Sequence, residues 1–212
     1  TFESLAGETL TRTGVIAAVA VEPFSRGRVR PHEKTHAEPK AERLALLGST
    51  KTMCEALLML ARDEGGKLSE LLADVVSLEP TVRAQLDGVD IAMWRVVGSR
   101  AAELASAAGA AGLYIADGHH RYETAVAYRK VNPAADRTLG MIVARRDEGL
   151  KVLPTHRLVY GDATDKDSML TSQRDRFHVH ELSEDVSTTD HLSELKARGT
   201  ACIIVRPGGN PV

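Results

Sequence analysis

The stretch YIADGHHRYETA, residues 114–125, restricts this chain more than any other. Leu113, Tyr114, Ile115 and Ala116 suit an extended backbone, Asp117-Gly118 interrupts them, and from His119 onward the residues are good helix formers. The pattern predicts a strand, a one-residue hinge and a helix start. Asp117 suits the N-cap, because its carboxylate can accept a hydrogen bond from the free N–H groups of the first turn. Gly118 carries no side chain, so another molecule can approach those amides closely. A helix start of this kind attracts anions by ~0.3–1 kcal/mol per charge at an exposed site. His119, His120 and Arg121 concentrate donors there, and the simplest ligand is a phosphate. The same residues also fit a plain capped helix with surface histidines and Arg121 paired to Glu123 or another acid. Adjacent histidines lie ~100° apart around a helix, so this pair alone makes a poor metal clip.

The rest of the chain reads as alternating strands and helices. Residues 14–21 are a run of β-branched residues and alanine that predicts a buried strand closed by Pro23. Residues 26–43 carry Arg26, Arg28, Arg30, Lys34, Lys40 and Arg43 against Glu33, Glu38 and Glu42, with His32 and His36 added. This compact positive segment is the expected second wall of an anion site. Pro31 and Pro39 predict a loop over residues 32–38 and a helix from about Pro39 to Leu47. Residues 53–61 fit a strand or a helix start. Residues 67–76 place Leu68, Leu71, Leu72 and Val75 on one helical stripe, which reads as core. Asp87-Gly88 signals a hairpin between residues 82–86 and 89–97. A helix over residues 100–110, ended by Gly112, and one over residues 119–130 follow. Residues 138–144 and 151–160 predict strands joined by a charged turn, the second carrying the polar knot Pro154-Thr155-His156-Arg157. Beyond it, a helix over 168–175, a strand over 177–182, a helix over 189–198 and a strand over 201–205 predict a small α/β appendage.

A net charge of −2 and a pI near 6.4 give no general attraction to nucleic acid or to an anionic membrane. Cys54 and Cys202, far apart in apolar settings, predict buried thiols in a reducing, cytoplasmic compartment rather than a disulfide framework. The apolar runs at residues 15–21 and 56–61 are too short to span a bilayer, and no signal peptide is visible. The chain opens on Thr1 and ends in PGGNPV, which suggests a fragment of something longer. His32-Glu33-Lys34-Thr35-His36 matches the zinc-hydrolase pattern H-E-x-x-H. That pattern needs a helix, and Pro39, three residues past His36, works against one. A polar loop with Glu33 facing a ligand is the preferred reading of this segment, with a plain solvated loop beside it.

Three segments in order, RTGVIAAVAVEP leading into PHEKTHAEPKAERLALL, then YIADGHHRYETA, then LPTHR, resemble a widespread bacterial and archaeal family labelled as a domain of unknown function. The resemblance covers about residues 12–157, and family members are longer at both ends. The GHHR-type turn is similar to the phosphate-binding motif of the ParB and sulfiredoxin-like fold. This implies an α/β protein with a mixed-sheet, ParB/sulfiredoxin-like nucleotide-binding core over residues 1–160. Residues 161–212 would form a small α/β segment of a domain that continues further.

The resemblance also implies a nucleotide-dependent phosphotransferase, as in the branch of that fold that phosphorylates free serine, using ATP or ADP with Mg²⁺ and a small hydroxyl-bearing metabolite. Carried over residue by residue, Gly118, His119, His120 and Arg121 would hold phosphates. Asp117 would cap the turn or help to place Mg²⁺, Lys40 and Arg43 would extend the positive wall, and Glu33 would accept the hydroxyl proton. His32, Thr35, His156 and Arg157 are further candidate site residues. His119 stands where the GERR turn of ParB has an acidic residue, and no helix-turn-helix follows, so DNA partitioning is not implied. Two other readings stand beside this one, a non-catalytic nucleotide-binding or sensing module and a zinc-dependent hydrolase on HEKTH.

Overall fold

Alternation of apolar side chains builds the central sheet. In the strand Leu57–Ala61, Leu57, Met59 and Ala61 are buried and the two leucines between them are half-buried. In Leu113–Asp117, Leu113 and Ile115 take the same inward face. The computed structural model describes residues 1–3, 7–33, 38–151, 171, 174–180, 182, 187–196, 199 and 201–204. The chain divides into two compact units, Thr1–Val152 and Leu153–Val212.

The first unit is α/β. Its strands are β1 (Phe2–Glu3), β2 (Thr9–Leu10), β3 (Gly14–Ala20), β4 (Val29–Arg30), β5 (Leu57–Ala61), β6 (Val82–Leu86), β7 (Val89–Met93), β8 (Leu113–Asp117) and β9 (Arg137–Ala144). Its helices are α1 (Glu38–Thr50), α2 (Lys67–Val76), α3 (Gly98–Gly109) and α4 (His119–Val131). Five strands form a mixed sheet in the order β3-β9-β5-β8-β4, while β1-β2 and β6-β7 are separate two-stranded pairs. The expected stripe of α2, Leu68, Leu71, Leu72 and Val75, is buried and joins one core cluster with Leu104 and Ala108 of α3, Leu57, Met59, Ile115 and Tyr122. Helix α2 packs against α3, and α1 against α4. The hairpin turn lies at Asp87-Gly88, both residues having positive φ (49° and 77°).

Several expectations are corrected. Residues 14–20 of the expected 14–21 do form a strand, but among the described residues β3 is a sheet edge with alternating exposure, Ile16 being 51% exposed. Its alanines made an edge strand look continuously apolar. Strand β7 stops at Met93, so Trp94 lies beyond it, donating its indole N–H to the Leu78 carbonyl at 2.9 Å. Cys54 and Cys202 are exposed rather than buried. Cys54 falls in the connection before β5, where apolar neighbours in sequence do not mean a core position in space.

In the second unit a helix, α5 (Thr188–Lys196), matches the expected one. The described residues of the two expected strands, 177–180, 182 and 201–204, are not in strands. Of the expected helix over 168–175, residue 171 is helical and residues 174 and 175 lie in a turn. The strand expected over 151–160 falls, apart from non-strand Lys151, outside the described residues.

Candidate functional site

Strand direction determines which residues meet. β3, β8 and β4 run one way and β5 and β9 the other. The C-terminal ends of the first three therefore lie at the same end of the sheet as the start of β5. Glu22 follows β3, His32 and Glu33 follow β4, Glu55 precedes β5, and the turn residues 117–121 follow β8. Residues almost ninety positions apart are assembled because Val29 and Arg30 pair in parallel with Leu113 and Tyr114.

At the centre stands the expected strand–turn–helix, with one correction. Gly118 rather than Asp117 is the N-cap of α4, at φ 95°, and no side chain among the described residues caps the helix. The Asp117 carboxylate turns instead to Arg121, with Oδ2 2.5 Å from Nη2. A charge-assisted contact with a guanidinium outcompetes a neutral amide. Arg121 also donates from Nη1 to the Ala56 carbonyl at 2.9 Å and lies 3.0 Å from Glu55 Oε2. Glycine is required here: a Cβ on residue 118 would lie 2.7 Å from Leu57 Cδ2 and 3.0 Å from Arg121 Nε. The first turn thus keeps its unpaired-amide character beside a cation held by two carboxylates.

His119 does not face outward. Its side chain is 2% exposed, and both ring nitrogens are engaged, Nδ1 at 3.1 Å from Glu33 Oε1 and Nε2 at 3.3 Å from the backbone N–H of His32. That N–H can only donate, so Nε2 accepts and Nδ1–H donates to the carboxylate. His32 packs edge-on against the His119 ring, with centroids 4.3 Å apart, and its own Nδ1 lies 2.7 Å from the Ile115 carbonyl. Glu33 keeps a 55% exposed side chain and a second oxygen for other partners. One buried imidazole therefore fixes the loop after β4 and aims its glutamate.

Burial first, and His32 second, hold the His119 imidazole below the usual histidine range. The unfolded chain then protonates first on acidification. Stability is complete above the unfolded value of about 6.5 and drains as pH falls below it, through the lower folded value. We expect urea midpoints to fall on acidification from about pH 7 to 5, and to fall less steeply in His119→Gln. Parallel pH profiles for the two chains would remove His119 as the cause.

The remaining candidates are placed as follows. His120 is half-buried, with Nδ1 enclosed and without a hydrogen-bond partner among the described residues, while its carbonyl accepts from Thr124 Oγ1 at 2.7 Å. Arg43 is exposed on α1, which lies against α4. Lys40 belongs to α1, its side chain outside the described set. Arg30, from the positive segment, turns to β8, donating to the Tyr114 hydroxyl at 2.8 Å and lying over its ring. Thr35, His156 and Arg157 lie outside the described residues, as does His36 of HEKTH. His32 and Glu33 themselves are in a bend, not a helix.

Sequence reasoning missed Glu55, Tyr122 and Glu22. Glu55 reaches Arg121 only through the antiparallel register that sets Leu58 opposite Asp117, a fact with no local signal. Tyr122 is fully buried and stacks on Phe24, with centroids 5.3 Å apart. Its hydroxyl accepts from Glu22 N at 3.1 Å and donates to Glu22 O at 2.9 Å, clamping the end of β3 onto α4. Burial, above all, raises the phenol above its usual range, so it stays a donor. Glu22 Oε1 is enclosed and without a hydrogen-bond partner among the described residues.

A family model described as a protein of unknown function (DUF1015) matches residues 1–207. No curated protein and no solved structure matches the chain.

Proposed function

We propose that this chain, which belongs to the DUF1015 family, is a nucleotide-dependent phosphotransferase acting on a small hydroxyl-bearing metabolite, with free serine the first acceptor to try. The observation that carries the reading is the pairing of an uncapped α4 start, with Arg121 folded beside it, and a glutamate aimed from the next loop by a buried histidine. Phosphoryl transfer asks little more than charge neutralisation on the transferred group and an aligned nucleophile. On this reading the amides of the first turn, His120 and Arg121 receive phosphate oxygens. Glu33 takes the proton of the attacking hydroxyl. His119 changes role from the one the resemblance implied: its ring is occupied, and it serves as a positioning residue for Glu33.

Electrostatics favour a metal-chelated nucleotide, ATP or ADP with Mg²⁺, over a bare anion. Of the groups just described, three carboxylates (Asp117, Glu55, Glu33) stand against one guanidinium, and His119 is held toward its neutral form. A divalent cation arriving with the phosphates offsets that excess, and Asp117 is the carboxylate nearest the turn. The ParB/sulfiredoxin-like architecture implied by the GHHR turn belongs to the same proposal, as does a core spanning residues 1–160.

Calorimetric titration with ATP, ADP and CTP in the presence of Mg²⁺ tests it. We expect micromolar binding of one of them. In Arg121→Ala binding should weaken about ten- to hundredfold, as befits a lost charge-assisted contact of ~1.5–3 kcal/mol. Glu55→Gln should strengthen it by up to about fivefold, since an exposed competing ion pair is worth only ~0–1 kcal/mol. Absence of binding by all three nucleotides, or indifference to Arg121→Ala, would overturn the reading.

A further inference from the structure

We propose that His32, Glu33 and His119 form a binding site for one transition-metal dication of the zinc or cobalt class, independent of any nucleotide. One ligand atom from each of the three residues lies within 4.8 Å of the other two. Two atoms bound to one tetrahedral zinc at ~2.0–2.2 Å are themselves about 3.3 Å apart, and Glu33 Oε1 already lies 3.1 Å from His119 Nδ1. The His32 ligand atom, within 4.8 Å of both, completes the set.

The surroundings of the trio are those of a ligand set. The Nδ1 of His32 is bound at 2.7 Å to the Ile115 carbonyl, which leaves Nε2 with the free lone pair. Metal-ligating histidines are characteristically oriented by a carbonyl or carboxylate on the other nitrogen. His119 is buried, with Nδ1 already turned toward the Glu33 carboxylate. Two imidazoles and a carboxylate are too nitrogen-rich for Mg²⁺ or Ca²⁺, and they suit the later first-row ions. His32 and Glu33 are exposed, so a fourth position opens to solvent, as in three-ligand sites that keep a bound water.

This is not the HEKTH pattern. There the second ligand would be His36 and Glu33 would activate water. Here Glu33 is itself a ligand, and the third ligand comes from the start of α4, brought in by the β4–β8 pairing. Capture at His119 Nδ1 moves the ring proton to Nε2, giving up the contact to the His32 N–H, the longest of the group at 3.3 Å. The metal also engages the carboxylate that the phosphotransfer reading uses as its base, so metal occupancy and turnover oppose each other.

The test uses the full chain, freed of metal with a chelator and without nucleotide. Co²⁺ is added and followed by visible absorption, and Zn²⁺ is added in a calorimeter. The expected result is one equivalent of each, with the visible bands of four- or five-coordinate Co²⁺. Affinity should fall by at least about tenfold in Glu33→Gln and in His32→Ala, both exposed positions at which substitution leaves the core intact. No binding by the metal-free chain overturns the proposal. So does binding that both substitutions leave unchanged, because the metal then sits on other groups. Nucleotide binding by the same chain, measured with Mg²⁺ alone, separates failure here from failure of the phosphate reading.

Discussion

Glu33→Gln is expected to bind the Mg²⁺–nucleotide as tightly as the parent chain and to transfer phosphate about 10²–10⁴-fold more slowly, the usual contribution of a general base. Glutamine has the shape of glutamate, and its carbonyl oxygen can still accept from His119 Nδ1–H, the contact that now measures 3.1 Å. The loop after β4 therefore keeps its place. What is lost is basicity at the outer oxygen. Calorimetry and a coupled assay for nucleotide turnover, with serine as the first acceptor, read the two effects separately. Unchanged turnover would take Glu33 out of the chemistry. Binding without turnover in the parent chain would favour the sensing module.

Gly118→Ala should cost more of the structure than any other change at the turn. The residue sits at φ 95°, and its missing Cβ is the space that Leu57 Cδ2 and the Arg121 guanidinium fill. A left-handed backbone on an L-residue costs about 1–3 kcal/mol, before the displacement of a fully buried leucine is counted. In a domain of this size each kcal/mol lowers the thermal midpoint by roughly 2–4 °C. The variant should also lose nucleotide affinity, since Arg121 is pushed from its position beside Asp117. Differential scanning calorimetry reads the first effect and titration the second. An unshifted midpoint would mean that the turn relaxes freely, and that its geometry is not what holds Arg121.

How much of this was written in the sequence depends on how local the cause is. The strand–turn–helix at residues 113–131, the core stripe of α2 and the Asp87-Gly88 hairpin are legible, because periodicity and turn chemistry act over a few residues. The cap was misread for a local reason with a tertiary outcome. Asp117 is the right residue type, but Arg121 lies one helical turn on and competes for its carboxylate. The inward ring of His119 was not legible at all, since its two partners come from a loop that joins the site only through a parallel strand pair. Glu55 and Tyr122 belong to the same class: register and helix docking decide their contacts. Exposure of β3 was hidden because alanine-rich edge and centre strands look alike.

The two-residue pairing of β4 carries a consequence for local opening. Asp117, Gly118 and Arg121 are anchored by β8, an inner strand with neighbours on both sides, and by a helix rooted in the core. His32 and Glu33 follow β4, which among the described residues is an outer strand whose register with β8 is two residues long, Val29 and Arg30. Amide exchange is governed by such differences, and edges open at a lower free energy than the centre. The candidate site is therefore made of a firm half and a yielding half. The firm half presents the positive charge, the yielding half brings the carboxylate, and the contacts of His119 with Glu33 and His32, and of His32 with the Ile115 carbonyl, join them.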